Sequence, residues 1–352
     1  MTNILVTGGC GYIGSHTVLA LLEKGHYVFI IDSLLNSNLK VLKKLNCILI
    51  KKDQRLLKNL KFFKGDLREK NDIEKIFILA NENNKKIEAV IHFAGLKAVG
   101  ESVKNPLMYW ETNVGGTINL LKVMQKYSCK NLIFSSSATI YANSGNKLLK
   151  ENSIISPINP YGKTKNYIES LLKDIYNSEE GQWKFINLRY FNPIGAHYSG
   201  HIGENPIGKP NNLFPLILQV ASRKLKELKV YGKDWNTRDG TCIRDYVHVL
   251  DLADGHVAAF EYLNNNKSQF INLNIGTGKG TTVLELIEIF KKVNDIDILY
   301  SFTSRRKGDQ EYVVADNSKI LSVLNWKPKR DIEDMCRDGW KWQTLNPNGY
   351  LN

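Results

Sequence analysis

Seven residues near the start of the chain restrict its fold more than any other stretch. The apolar run Ile4-Leu5-Val6-Thr7 ends in Gly8-Gly9-Cys10-Gly11-Tyr12-Ile13-Gly14, and a helical pattern follows as far as Gly25. Gly9, Gly11 and Gly14 fit G-x-G-x-x-G, while Gly8, Gly11 and Gly14 fit the related G-x-x-G-x-x-G. Between a buried strand and a helix, such glycines make a tight turn, admit a pyrophosphate close to the backbone and let the helix pack on the strand. The helix N-terminus adds free N–H groups and the positive end of its dipole. Glycines also mark ordinary turns. It is the strand–turn–helix setting that predicts a dinucleotide site here.

The second apolar run, Val28 to Ile31, ends in Asp32. That lies about 20 residues past the glycines, where a dinucleotide fold puts the carboxylate for the ribose hydroxyls. A carboxylate there repels a 2′-phosphate, so NAD is expected rather than NADP. Further strand patterns run over 60–64, 89–95, 132–134 and 184–190. They close in Gly65-Asp66-Leu67, in Gly95, in Ser135-Ser136-Ser137 and in Tyr190. Helical patterns fall near 69–83, near 107–127 and from Pro160 onward. Residues 36–60, polar and basic, read as an irregular surface excursion. The alternation predicts an α/β fold, a Rossmann-type doubly wound parallel sheet through about residue 192. Beyond it, 193–212 read as loop, 212–224 as helix, 229–231 as a short strand, and 245–250 and 270–275 as strands. Helices near 317–324 and 331–345 close the chain. We therefore expect an NAD-binding domain over 1–192, with elements returning from about 232–275, and a smaller C-terminal α/β lobe over 193–352.

With 352 residues, 43% of them apolar, the chain has material for a full core. No apolar run approaches the ~20 residues of a membrane helix. Met1-Thr2-Asn3 leads straight into the first strand, and the five cysteines (Cys10, Cys47, Cys129, Cys242, Cys336) are scattered without a C-x-x-C pair. A reducing, cytoplasmic setting is expected, with neither a disulfide framework nor a structural zinc site. The seven histidines show no ligand spacing, so no metal is expected. The net charge is +13, densest in lysines between Lys40 and Lys64. Because the lysines are spread and interleaved, we read a solvated surface, not a nucleic-acid or membrane face.

Tyr161 and Lys165 are spaced i, i+4 and share one face of a helix. A tyrosine ordinarily titrates near ~10 and is a poor base at neutral pH. A nearby ammonium and a positive nicotinamide ring both favour the phenolate. The hydroxyl of Ser137 would hydrogen-bond substrate and Tyr161, completing a proton relay beside a hydride acceptor.

Thr7–His16, Ser135–Thr139 and Tyr161–Lys165 together resemble the extended short-chain dehydrogenase/reductase family. His92–Ser102, Leu188–Pro193, Pro210–Leu213, Arg244–Val249, Arg305–Asp309 and Trp340–Gln343 are similar to its branch that inverts C4 of UDP-hexoses. The likeness spans essentially the whole chain. It implies reversible C4 epimerisation of UDP-glucose and UDP-galactose through a 4-keto intermediate, with NAD held throughout. Tyr161 would take the proton of the 4-hydroxyl while C4 gives its hydride to NAD. The keto sugar would turn over, and the hydride would return to its other face.

The resemblance also implies roles. Gly8, Gly11, Tyr12, Ile13, Gly14, Asp32, Asn36, Ser37, Asp66 and Leu67 would hold the adenosine and pyrophosphate of NAD. Phe93, Ala94, Lys97, Asn113, Tyr161, Lys165 and Tyr190 would line its nicotinamide half. Ser137, Tyr161 and Lys165 would be catalytic, with Lys97 also near the substrate. Asn192, Asn212, Leu213, Lys229, Tyr231, Arg244, Arg306 and Asp309 would hold UDP. The arginines make independent sense, since a diphosphate suits forked guanidinium donors. A homodimer is implied, through helices near 107–127 and 161–178.

Three departures from the family pattern stand out. The stretch between Asp32 and Asp66 is long, Ala142-Asn143 follows Tyr141 where a glycine is usual, and Val313 replaces a bulky tyrosine beside the sugar's C2. A small Val313 suggests room for an N-acetyl group, as in UDP-GlcNAc and UDP-GalNAc, unless Tyr312 shifts register to fill it. Two rival readings were weighed. A nucleotide-sugar 4,6-dehydratase or decarboxylase needs acidic residues after the Ser/Thr, where this chain has Ala138, Thr139 and Ile140. A non-catalytic dinucleotide- or RNA-binding protein predicts loss of Tyr161 or Lys165, and both are present.

Overall fold

A computed structural model describes residues 1–351 except Ser144, Asn146, Glu180, Lys209 and Lys307, with only the backbone at Leu351. Lys307, part of the Arg305–Asp309 block, thus lies outside the described residues. In chain order the first half contains β1 (Asn3–Thr7), α1 (Tyr12–Glu23), β2 (Tyr27–Asp32), α2 (Lys40–Asp53), β3 (Leu60–Lys64), α3 (Lys70–Glu82) and β4 (Ala89–His92). There follow α4 (Val99–Lys104), α5 (Pro106–Tyr109), α6 (Gly116–Lys126), β5 (Asn131–Ser137), α7 (Pro160–Ser178) and β6 (Lys184–Tyr190). The second half contains β7 (Asn192–Ile194), α8 (Leu213–Ala221), β8 (Leu228–Tyr231), β9 (Ile243–His248), α9 (Val249–Asn265) and β10 (Gln269–Ile275). It ends with β11 (Gly280–Thr282), α10 (Val283–Asn294), β12 (Tyr300–Thr303), β13 (Tyr312–Val313), α11 (Ser318–Leu324) and α12 (Ile332–Leu345).

The chain forms two compact units. The first comprises 1–140, 157–189 and 253–273, and the second 141–156, 190–252 and 274–352. The first is built on a seven-stranded sheet of order β10-β6-β5-β4-β1-β2-β3. The pairings β3/β2, β2/β1, β1/β4 and β4/β5 are all parallel. Every residue of β2 and β4 is buried, which is why these strands read as continuous apolar runs and not as alternations. The chain order reverses between β1 and β4, and ligands of such sheets sit outside the strand ends at that switch point. The second unit holds a small sheet in which β9 pairs with antiparallel β11 and with parallel β7 and β13. A parallel β8/β12 pair lies beside a core of Phe214, Ile217, Leu286, Phe290 and Met335.

Three segments differ from expectation. Residues 36–60 are not irregular: α2 and a 3-10 turn over Gln54–Asn59 occupy them. Val41, Leu45, Ile48 and Leu49 are buried at helical spacing, and α2 packs on α1. The helix expected near 107–127 is interrupted by a π-helical turn at Trp110–Gly115. Within 193–212, the end of β7 adds a strand to β9. Among the described residues no helix is long and apolar enough to cross a membrane.

Candidate active site

The glycine loop closes against the end of β4. Gly8 has φ +69, and a Cβ there would stand 2.8 Å from the backbone nitrogen of Ala94. A Cβ on Gly14 would stand 2.2 Å from the Gly8 carbonyl oxygen. Both positions therefore exclude any side chain, and the space kept clear faces the first turn of α1. Gly11 caps that turn with no side-chain hydrogen bond, and the positive end of a helix dipole there favours an anion. Asp32, at the end of β2, accepts from the Cys10 N–H at 2.9 Å, the Leu34 N–H at 2.9 Å and the Ser37 hydroxyl at 2.8 Å. One carboxylate thus ties the glycine loop to the segment holding Ser37 and exposed Asn36. These residues fit a dinucleotide: a bare backbone cradle, a helix N-terminus and an acid at the end of β2.

Asp66 follows β3, and its carboxylate has a partner in the protein itself. Arg68 grips its carboxylate with Nη2 at 2.7 Å and Nε at 3.1 Å, and holds it below the usual carboxylate range. Leu67 is buried against Gly116, and its carbonyl accepts from the Asn119 amide at 3.1 Å. Tyr12 and Ile13 open α1, and the Phe93 ring lies 4.7 Å from that of His256.

Ser137, Tyr161 and Lys165 gather at the end of β5. Asn159 caps α7 by accepting from the Gly162 N–H at 2.8 Å, and Pro160 supplies the first turn. A Cβ on Gly162 would meet the Thr139 carbonyl at 2.7 Å, so glycine lets α7 close on the turn after Ser137. The Tyr161 phenol is thereby brought beside the Ser137 hydroxyl, which favours its charged form. Ser137 Oγ already accepts from Thr139 N–H at 3.2 Å and Thr139 Oγ1 at 3.0 Å, which leaves its own hydrogen for Tyr161. One turn on, the Lys165 Nζ donates to the Ser135 carbonyl at 2.7 Å and sits 5.9 Å from the Tyr161 ring centre. Burial lowers the Lys165 ammonium to about 7, partly offset by the Glu169 carboxylate.

One expectation does not carry over. In the protein alone burial pushes the Tyr161 phenol up, outweighing the Ser137 hydrogen bond and the charge of Lys97. The Lys97 charge favours the phenolate, while Lys165, 5.9 Å from the ring centre, is hydrogen-bonded to the Ser135 carbonyl.

Several supporting contacts gave no sequence signal. His92 joins three elements, with Nδ1 2.7 Å from Thr7 Oγ1 and Nε2 2.9 Å from Thr117 Oγ1. Burial lowers it to about 3, so it stays a neutral imidazole. Asn113, carried on the π turn, accepts from the Leu96 N–H at 2.8 Å and donates to Thr164 Oγ1 at 3.1 Å. Arg189 and Glu169 form a buried fork, with contacts of 2.6 and 3.0 Å.

In the second unit, Arg306 Nη2 bonds Asp309 at 2.8 Å and its guanidinium lies 5.6 Å from the Tyr231 ring centre. The thiol of Cys242 sits among Arg244, Arg306 and Asp309, so these groups converge. Asn192 donates to the Asp245 carbonyl at 3.1 Å, which holds β7 beside Arg244. Lys229 instead bonds Ser301 at 2.9 Å and the Glu227 carboxylate. Asn212 and Leu213 stand at the start of α8, and Tyr190 is buried. Val313 is registered with Arg244, so the two share a sheet face. Tyr312, its neighbour, turns to the other face and lies 3.7 Å from the Cβ position of Gly280. Asp245 itself is structural: it accepts from Thr277 N–H and Oγ1, Gly278 N–H and Ala315 N–H.

A family profile described as GDP-mannose 4,6 dehydratase matches residues 5–339. Over 348 residues the chain is 49% identical to UDP-glucose 4-epimerase 2 of Arabidopsis thaliana, covering 99% of this chain and 97% of that protein. It is 48% identical over 348 residues to the bifunctional UDP-glucose 4-epimerase and UDP-xylose 4-epimerase 1 of Pisum sativum, with the same coverage. Among solved structures, a UDP-glucose 4-epimerase of Stenotrophomonas maltophila with bound NAD and formylated UDP-arabinopyranose superposes with TM-score 0.91, 42% identity and 99% coverage of both chains. That of Bifidobacterium longum in complex with NAD+ and UDP gives 0.90 at 44% identity, covering 99% of this chain and 100% of that one.

Proposed function

The chain belongs to the UDP-glucose 4-epimerases of the extended short-chain dehydrogenase/reductase family, and from that premise we infer that it interconverts UDP-glucose and UDP-galactose through a 4-keto sugar, as an NAD-dependent isomerase. The observation that carries this reading is the gathering of Ser137, Tyr161 and Lys165 in the unit that bears the glycine cradle. NAD, when bound, supplies reversible oxidation and reduction at the sugar C4. Gly8, Gly11, Gly14 and Asp32 would hold it.

The chain's own groups handle the proton and the anchoring. Tyr161 takes the proton of the 4-hydroxyl and returns it. Ser137 donates to the Tyr161 oxygen and so favours its charged form. Lys165 ties the end of β5 to α7 through the Ser135 carbonyl and stands 5.9 Å from the Tyr161 ring centre. Because burial raises Tyr161 in the protein alone, the base is unveiled only when further positive charge arrives, which couples proton removal to the loaded enzyme. In the second unit, Arg244 and Arg306 would grip the diphosphate of UDP. Anchoring by the nucleotide leaves the hexose free to turn while the product of the first half-reaction stays captive.

A dehydratase reading fails on the residues after Ser137. Ala138 and Ile140 are buried and Thr139 is bonded back to Ser137, so no acid stands there to expel water. Tyr161→Phe tests the assignment. It should lose epimerisation by on the order of 10²–10⁴ while keeping bound NAD; near-full activity would remove Tyr161 from its role.

Val313 extends the reading to N-acetylated UDP-sugars. Its register beside Arg244, with Tyr312 on the other face, leaves the short valine as the side chain that β13 presents there. Incubation with UDP-N-acetylglucosamine should give UDP-N-acetylgalactosamine, and absence of product would close the question against it. A homodimer is supported by the exposed apolar side chains Val103, Leu107 and Tyr167 on α4, α5 and α7, and sedimentation would give its mass. The five free cysteines support a reducing, cytoplasmic setting.

A further inference from the structure

The segment linking β4 to α4 carries Lys97, and two buried side chains grip it on either side of that lysine. Before it, the Asn113 amide accepts from the Leu96 N–H at 2.8 Å and donates to the Leu96 carbonyl at 3.1 Å. After it, the Tyr109 hydroxyl shares its hydrogen between the Ala98 carbonyl and a Glu101 carboxylate oxygen, each at 2.8 Å. Tyr109 is fully buried, so no water can replace these partners. Burial and the Glu101 carboxylate push its phenol up, and it remains a donor throughout the working range.

Lys97 is exposed. On a loose loop its long side chain would spread its charge over many positions. With the peptide units on both sides tied down, only its rotamers remain. The helix α4, which follows this segment, and α5, which carries Tyr109, both pack against α7, which carries Tyr161, and the Lys97 charge favours the Tyr161 phenolate.

The geometry points to Tyr109 as a positioning residue: anchored by Glu101, it fixes the backbone that carries Lys97, so that an ammonium stands beside Tyr161 when its proton leaves. Tyr109 touches neither sugar nor cofactor in this role and acts only through Lys97. The inference rests on Tyr161 being the proton acceptor.

The test uses the NAD-loaded protein with ring-labelled tyrosine. The Tyr161 resonance is assigned by its loss in Tyr161→Phe, and its titration is followed by NMR alongside the pH profile of kcat. Tyr109→Phe should move both the Tyr161 titration and the acidic limb of kcat upward by about half a unit, the scale of one cation a few ångströms away in a wet site. Lys97→Met should move them equally, and adding Tyr109→Phe to Lys97→Met should change nothing more. Superimposable titrations in Tyr109→Phe, or an undiminished shift in the Lys97→Met background, overturn the proposal. Should Tyr109→Phe fail to fold, Lys97→Met still decides, because an unmoved Tyr161 resonance removes the coupling on which Tyr109 would act. If UDP-galactose is not epimerised at all, the functional reading fails separately, since the NMR titration does not depend on turnover.

Discussion

Replacing Lys165 with methionine should stabilise the protein in neutral and mildly acidic solution while abolishing its activity. Lys165 is only 5% exposed, and burial brings its ammonium from the ordinary 10.5 down to about 7. Between those two values the unfolded chain holds a proton that the folded chain lacks, so stability rises with pH through that window. Below it the folded state carries the full cost of a buried charge, about 5 kcal/mol at roughly 1.4 kcal/mol per unit. Methionine is similar in length and uncharged. It cannot donate to the Ser135 carbonyl, and leaving that acceptor unsatisfied costs about 1–3 kcal/mol. The net gain near about pH 6 is therefore roughly 2–4 kcal/mol, and the wild type recovers about 2–3 kcal/mol of it by about pH 9. Urea unfolding of both proteins at these two pH values measures the gap, with C4 epimerisation assayed in parallel. A variant less stable than wild type at the lower pH, or a gap independent of pH, would refute the reasoning.

Two further substitutions probe the framework. Gly14→Ala brings a Cβ to 2.2 Å from the Gly8 carbonyl, and should cost about 3 kcal/mol or more and deplete bound NAD, read from the ultraviolet spectrum and an unfolding curve. Arg189→Leu strands the Glu169 carboxylate in the core and should destabilise by about 3–5 kcal/mol, with much of the loss recovered when Glu169→Leu is added.

The parts of the molecule that local sequence specifies could be read in advance. The glycine cradle, Asp32 and the Tyr161/Lys165 spacing each depend on residues a few positions apart, and the sheet beneath them follows from strand/helix alternation. The helix α2 was also written in the chain, in the spacing of Val41, Leu45, Ile48 and Leu49. Its many lysines masked that pattern, because a helix with one buried stripe can be basic everywhere else. What could not be read is what long-range pairing decides. The contacts of His92 with Thr7 and Thr117, of Glu169 with Arg189, and of Tyr109 with Ala98 join residues whose approach only the fold creates. The π turn that carries Asn113 left no periodic trace. Nor could spacing foretell that the Asp66 carboxylate would be held by Arg68, or Lys165 by the Ser135 carbonyl.

The central claim is that NAD stays captive and C4 is inverted without exchange with solvent. It is tested most directly by supplying UDP-galactose to the purified protein in heavy water with no NAD added. Conversion to UDP-glucose is expected with no deuterium at C4, and the conversion should be lost in the Tyr161→Phe variant. Deuterium at C4, a requirement for added NAD, or release of a dehydrated sugar would contradict it.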